Sequence, residues 1–129
     1  MIYNIERDAA AQPYRRPIFY NLVFGHKGGM QPDMTCLQAF VSAVPRDAKW
    51  GVTHYGRDNW TFLAAAIAMG ASVVRIGFED SAYLAPGVEA TSNHQVVEKL
   101  VNLIRAMGLE PATPAETREI LHTLPRTQH

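Results

Sequence analysis

Three times in succession the chain passes from a short β-branched and aromatic stretch, through a turn, into a helical pattern, and this repetition limits the fold more than any other feature. Residues 18–24, Ile-Phe-Tyr-Asn-Leu-Val-Phe, read as a buried strand, and Gly25, Gly28 and Gly29 punctuate its end. Asp33 then offers a cap for a helix in which Leu37, Phe40, Val41 and Val44 recur at i, i+3, i+4 and i+7, before Pro45 stops it. Residues 50–54 form a second strand, 55–58 its loop, and 60–69 an alanine-rich helix ended by Gly70. The third strand covers 72–78 and runs into Glu79 and Asp80. A loop with Pro86 and Gly87 leads to Ser92, and Gln95 three residues on predicts a capping box. The helix it opens extends to Met107, with Val97, Leu100, Val101 and Ile104 as its apolar stripe and Gly108 as its stop. Thr113, Pro114 and Glu116 combine cap, N1 proline and N3 glutamate ahead of a last helix through Leu121.

Strand–helix units joined by short connections require a parallel sheet, because each helix returns the chain so that the next strand can run the same way. The expected class is α/β. Three strands with four helices leave sheet edges to be covered by something else, so the chain reads as part of a larger barrel or open sheet. The 129 residues suffice for one apolar core and not for two ordinary domains. Residues 1–17, with Pro13, Pro17 and the pair Arg15 and Arg16, read as a poorly specified lead-in, residues 18–124 as the folded segment, and residues 125–129 as a tail.

Charge and targeting signals narrow the partners. Twelve basic residues balance twelve acidic ones, which argues against nucleic acid and anionic membrane surfaces. The N-terminus lacks the basic start and apolar run of a secretory signal, and residues 62–70 are about half the ~20 apolar residues that cross a bilayer. One cysteine, Cys36, leaves no internal disulfide and no Cys-x-x-Cys zinc pair, which suits a reducing, cytoplasmic setting.

In α/β folds chemistry gathers at the carboxyl ends of the strands, here residues 25–29, 54–58 and 79–81. The third is the most informative, since an otherwise apolar strand holds Arg75 and finishes in two carboxylates. Period-2 alternation places Arg75, Gly77 and Glu79 on one face, with about 13 Å of strand between Arg75 and Glu79, so the guanidinium approaches the carboxylates without having to touch Glu79. Such a layout suits anion binding, metal binding or proton transfer. The plainer alternative is an Arg75 ion pair within the sheet, with Glu79 and Asp80 merely closing the strand.

Other residues are less specific. His26 and His54 end the first two strands and with Glu79 could converge as a His₂Glu zinc set; loop histidines hydrogen-bonded or in solvent are the alternative. His94, His122 and His129 have no i,i+4 histidine partner and receive no role. Residues 25–29, Gly-His-Lys-Gly-Gly, read either as a phosphate cradle with Lys27 or as a tight turn, and match neither phosphate-loop nor dinucleotide fingerprints. Cys36 falls on a helix with nothing to depress its pKa.

The segment from Val74 to Asp80 resembles the last barrel strand of the β-keto acid cleavage enzyme family. The likeness extends to residues 18–25 with Gly28 and Gly29, to Lys49, Trp50, Gly51 and Val52 with Gly56 and Arg57, and to Tyr83, Leu84, Gly87, Ser92, Asn93 and Val97. Residues 112–121 resemble the family's closing helix nearly throughout, so the likeness covers roughly residues 13–124. Departures occur at Thr53, His54 and Tyr55, and at Gly70, Ala71 and Ser72 before the last strand. The resemblance implies the last three units of a (β/α)₈ TIM barrel, a fold that takes about 250 residues. It implies zinc dependence, with Glu79 as the single metal ligand carried by this part of the chain. It implies that Asp80 and Arg75 act as a proton-abstracting dyad. The implied reaction is acyl exchange between a β-keto acid, such as 3-keto-5-aminohexanoate, and acetyl-CoA, giving acetoacetate and a new acyl-CoA. A lone Glu79 cannot hold catalytic zinc, which takes three protein ligands. The expectation is therefore a chain inactive by itself, with a companion chain supplying the N-terminal half of the barrel. The rival expectation is a non-catalytic α/β remnant or interaction module that self-associates into a homo-oligomer through its strand edges.

Overall fold

The computed structural model describes residues 2–11 and 17–123. Three strands, β1 (Phe19–Phe24), β2 (Lys49–His54) and β3 (Val73–Arg75), form a parallel sheet in that order, with β2 in the centre. The alternation of β1 is complete: Tyr20, Leu22 and Phe24 are buried, and Phe19, Asn21 and Val23 are exposed. Register pairs Leu22 with Val52 and Val52 with Val74, so these three point to one face. On the opposite face stand Asn21 and Thr53, joined at 3.2 Å, and Arg75, which lies beside Thr53.

The covered face is packed by α2 (Met34–Ala43) and α3 (Thr61–Ala68). Phe24, Leu37, Val52, Leu63, Ala66 and Val96 are wholly removed from solvent, and the Phe24 ring meets Phe40 and Phe62 edge-on at 5.4 and 4.9 Å. Asp33 caps α2 as expected, accepting from Cys36 N at 2.8 Å, and α3 lies within the expected 60–69. Gly51 sits where the sheet is tightest, since a Cβ there would come 2.5 Å from the Val73 carbonyl and 3.0 Å from the Phe19 ring.

Several features differ from expectation. Strand β3 ends at Arg75, not at residue 78, because the chain turns: Asp80 N and Ser81 N both donate to Gly77 O, at 3.0 and 2.9 Å. The loop around Pro86 and Gly87 is a small antiparallel hairpin, β4 (Tyr83–Ala85) and β5 (Val88–Glu89). The capping box at α4 (Asn93–Ala106) does not form; Gln95 Oε1 accepts from Thr91 N at 2.8 Å, and Ser92 makes no side-chain cap bond. The buried stripe of α4 runs through Val96 and Leu100, with Val97 exposed, a rotation that follows from α4 packing against α3 and β4 rather than against a strand of the sheet. By contrast Thr113 and Glu116 form the expected capping box of α5 (Pro114–Ile120).

Residues 2–11 of the lead-in form a helix, α1 (Ile2–Ala11), whose Ile2 joins the core and whose Glu6 accepts from the Tyr20 hydroxyl. An i,i+3 pair of isoleucines is too short a run to register as helical periodicity. The tail at 125–129 lies outside the described residues. Among those described, no helix is long and apolar enough to cross a membrane. The chain is thus an α/β segment with a three-stranded parallel sheet and five helices among its described residues.

Candidate active site

The three sequence-nominated residues meet just beyond β3. Because the strand stops at Arg75 and the chain turns at Gly77, Asp80 comes back over the strand end instead of continuing away from it. Arg75 Nε and Nη2 donate to Asp80 Oδ2 and Oδ1 at 3.1 and 2.7 Å, a two-pronged charge-assisted pair. Arg75 Nη2 also lies 3.4 Å from Glu79 Oε1, so the expectation that Arg75 need not reach Glu79 is corrected: the turn replaces about 13 Å of extended strand. Exposure separates the carboxylates. The Asp80 side chain is 5 % exposed and that of Glu79 84 %, leaving Glu79 directed to solvent and Asp80 fixed against the protein. The Asp80 hydrogen bonds, and then its charge, hold the Arg75 guanidinium above its ordinary pKa.

A second arginine, quoted in the sequence only as part of the family likeness, lies behind this pair. Arg57 is 1 % exposed. Its Nη2 donates to Tyr83 O at 3.0 Å and Ser81 O at 3.4 Å, and its guanidinium carbon stacks 4.1 Å from the centre of the Trp60 ring. Burial pushes its pKa down, and the Asp80 charge opposes that shift. The sequence did carry a signal for it: an arginine three residues before a tryptophan, in the loop at a strand's carboxyl end.

His26, His54 and Glu79 do not converge as a metal site. His54 is buried with its ring edge-on to Phe62 at 5.1 Å, while His26 lies exposed in its turn. Burial, then the Arg57 charge, lowers the His54 pKa, Asp58 opposing, which favours a neutral core histidine. Among the described residues no three His, Cys, Asp or Glu side chains cluster to hold a metal ion. The glycine-rich turn is a tight turn rather than a cradle: Gly25 N donates to Met30 O and Gly29 N to His26 O, both at 2.8 Å, so those amides are spent internally. Gly25 has φ +80° and leaves no room for a side chain, because a Cβ would lie 2.3 Å from Tyr55 O. Burial and the neighbouring Asp33 raise the Cys36 thiol pKa, the opposite of an activated nucleophile. A cavity of about 420 Å³, lined by Trp60, Leu84, Pro86, Lys99 and Leu103 among others, includes neither Arg75 nor Asp80.

An arginine and an aspartate locked at a strand's carboxyl end, beside an exposed glutamate, hold a carboxylate aimed in one direction, a geometry that suits a proton acceptor. Comparison with known proteins places the chain among its relatives. The family model for β-keto acid cleavage enzyme matches residues 1–123. The 3-keto-5-aminohexanoate cleavage enzyme of Acetoanaerobium sticklandii is 39% identical over 105 residues, covering 81% of this chain and 38% of that protein. The enzyme of the same name from Fusobacterium nucleatum is 36% identical over 107 residues, 83% of this chain and 38% of its own. The 3-dehydrocarnitine:acetyl-CoA trimethylamine transferase of Rhizobium meliloti is 34% identical over 105 residues, 81% of this chain and 34% of its own. The chain thus spans a little over a third of the length of these relatives. With the match extending over nearly all of its residues, the chain belongs to the β-keto acid cleavage enzyme family.

Proposed function

We propose that this chain is the C-terminal segment of a (β/α)₈ barrel enzyme that exchanges acyl groups between a β-keto acid and acetyl-CoA, releasing acetoacetate and a new acyl-CoA. The observation that carries this reading is the Arg75–Asp80 pair, forked at 3.1 and 2.7 Å just past the end of the last parallel strand. The names of its relatives, 3-keto-5-aminohexanoate cleavage enzymes and an acetyl-CoA trimethylamine transferase, support the substrate class. A cytoplasmic setting suits a chain whose one cysteine is free.

Asp80 is the proton acceptor. Its carboxylate, stripped of most of its water and paired with Arg75, takes a proton from C2 of the β-keto acid. The carbanion attacks the acetyl thioester and expels CoA thiolate, the thiolate adds to the original keto carbon, and the C2–C3 bond breaks to give the new acyl-CoA and acetoacetate, whose carbanion recovers the proton from Asp80. Arg75 holds Asp80 oriented before the transfer through its two hydrogen bonds. Glu79 fits as one ligand of Zn²⁺, being a hard oxygen donor exposed at the strand end. When bound, the metal would polarise the keto group and acidify the C2 protons. The described residues hold no complete ligand set, so the other ligands come from a polypeptide carrying the N-terminal strands, and the chain by itself does not turn over.

The test is reconstitution. Mixing the chain with a polypeptide that spans the remaining strands of a relative should restore both zinc binding and acetoacetate formation from a β-keto acid and acetyl-CoA. A mixture that forms a stable complex and shows neither refutes the assignment.

A second reading, a non-catalytic module that self-associates, is favoured by the 39 % and 44 % exposure of Phe19 and Val23 on the face of β1 away from the helices. It requires a homo-oligomer at micromolar concentration, and sedimentation as a monomer eliminates it.

A further inference from the structure

The geometry points to Arg57 as the positioning residue that aims Asp80 at Arg75. The turn through Gly77 brings the chain back, holding it by the backbone amides of Asp80 and Ser81, and it grips no side chain of this segment. Beyond it, residues 80–84 are tied to the preceding strand-end loop instead. Gly56 N donates to Asp80 O at 2.8 Å, and Ser81 Oγ donates to Arg57 O. Arg57 Nη2 reaches the carbonyls of Ser81 and Tyr83, and Trp60 Nε1 donates to Leu84 O at 3.0 Å. Ser81 Oγ in turn accepts from Tyr83 N at 3.2 Å, which closes the network around Ser81. Four of the five residues from Asp80 to Leu84 are thus bonded to residues 56–60, and the Arg57 side chain is the central strut.

The chemistry of Arg57 supports a role in placement more than in stability. Its Nε and Nη1 are buried without a hydrogen-bond partner among the described residues. A buried cation with unmade bonds costs more than an apolar side chain of the same shape would. What it provides is a single guanidinium nitrogen, Nη2, that donates to two carbonyls at once while the guanidinium plane is clamped on Trp60, which no apolar residue reproduces. Arg57 lies behind Asp80 and is sealed from solvent, so it acts through Asp80 and not on a substrate. Its importance for catalysis rests on the function proposed above; the placement of Asp80 can be read without any turnover.

The experiment follows the Arg75 Nε–H, which donates to Asp80, by ¹H–¹⁵N NMR in the 129-residue chain and in Arg57→Met, Arg57→Lys and Ser81→Ala. Solvent exchange of that proton should accelerate by about tenfold or more in Arg57→Met and recover partly in Arg57→Lys, while the core amides of Val52 and Leu63 stay protected. Ser81→Ala removes the two bonds of the Ser81 hydroxyl, to Arg57 O and from Tyr83 N, and leaves the Arg57 side-chain bonds in place, so it should give a smaller acceleration and keeps the test decisive if Arg57→Met does not fold. Unchanged Arg75 exchange in a folded Arg57→Met, or in Ser81→Ala where Arg57→Met does not fold, overturns the proposal. So does loss of protection at Arg75 and in the core together, which would make Arg57 a general structural residue. Failure of zinc binding or turnover on reconstitution leaves this readout untouched, so the two readings fail separately.

Discussion

Arg75 and Asp80 are five residues apart and meet through two hydrogen bonds, 3.1 and 2.7 Å, because the strand ends at Arg75 and the chain folds back on it. The pair is asymmetric. Asp80 is buried, whereas the Arg75 side chain is 46 % exposed on the sheet face opposite the helices.

The two neighbouring carboxylates should separate by function. In the reconstituted enzyme, Asp80→Asn should lower turnover by about 10²- to 10⁴-fold, the usual worth of a positioned proton acceptor, with zinc affinity little changed. Glu79→Gln should weaken zinc binding, measured by calorimetry, and should alter unfolding free energy by no more than about 0.5 kcal/mol, because its side chain is largely in solvent. Equal effects of the two substitutions on zinc affinity would refute the division.

Phe24 carries the core between the sheet and its two covering helices. It is fully buried and touches Phe40 and Phe62 edge-on. Phe24→Ala should cost about 3–5 kcal/mol in urea unfolding. A loss under about 1 kcal/mol would mean that this aromatic cluster is not packed as described.

Gly51 should tolerate no side chain. A methyl group there would lie 2.5 Å from Val73 O and 3.0 Å from the Phe19 ring, so β2 and β3 would have to separate. Gly51→Ala should destabilise by about 1–3 kcal/mol, and amide exchange should rise first at Val73 and Val74. Wild-type stability in this variant would be the contrary result.

His54 makes stability depend on pH. Its folded pKa lies below the ordinary 6.5, chiefly through burial, so the unfolded chain binds the proton more readily. The sign follows: stability is complete above pH about 6.5 and declines as pH falls below it, with a slope of at most about 1.4 kcal/mol per pH unit from this group. Urea titrations between pH 7.5 and 5 should show a smaller decline in His54→Leu than in the wild type. Parallel curves would exclude His54 as the source.

Much of this fold was written locally. β-branched and aromatic runs separated by helical periodicity sufficed for three parallel strands and the helices between them, because the periods 2 and 3.6 are local properties of the chain. The Asp33 cap and the Thr113–Glu116 capping box were equally legible, each depending on residues three apart. Residue types also sufficed to nominate Arg75, Glu79 and Asp80, since charges at the end of an apolar strand need a partner. Tertiary structure decided the rest. Sequence alternation extended β3 to residue 78, but a strand persists only while a neighbour supplies hydrogen bonds, and β2 pairs with β3 only as far as Arg75. The rotation of α4 toward Val96 depended on where α3 and β4 sit, and the role of Arg57 depended on carbonyls 24 and 26 residues away. Turns, facing surfaces and struts are set by contacts between segments distant in the chain, and no local pattern encodes which of those segments will meet.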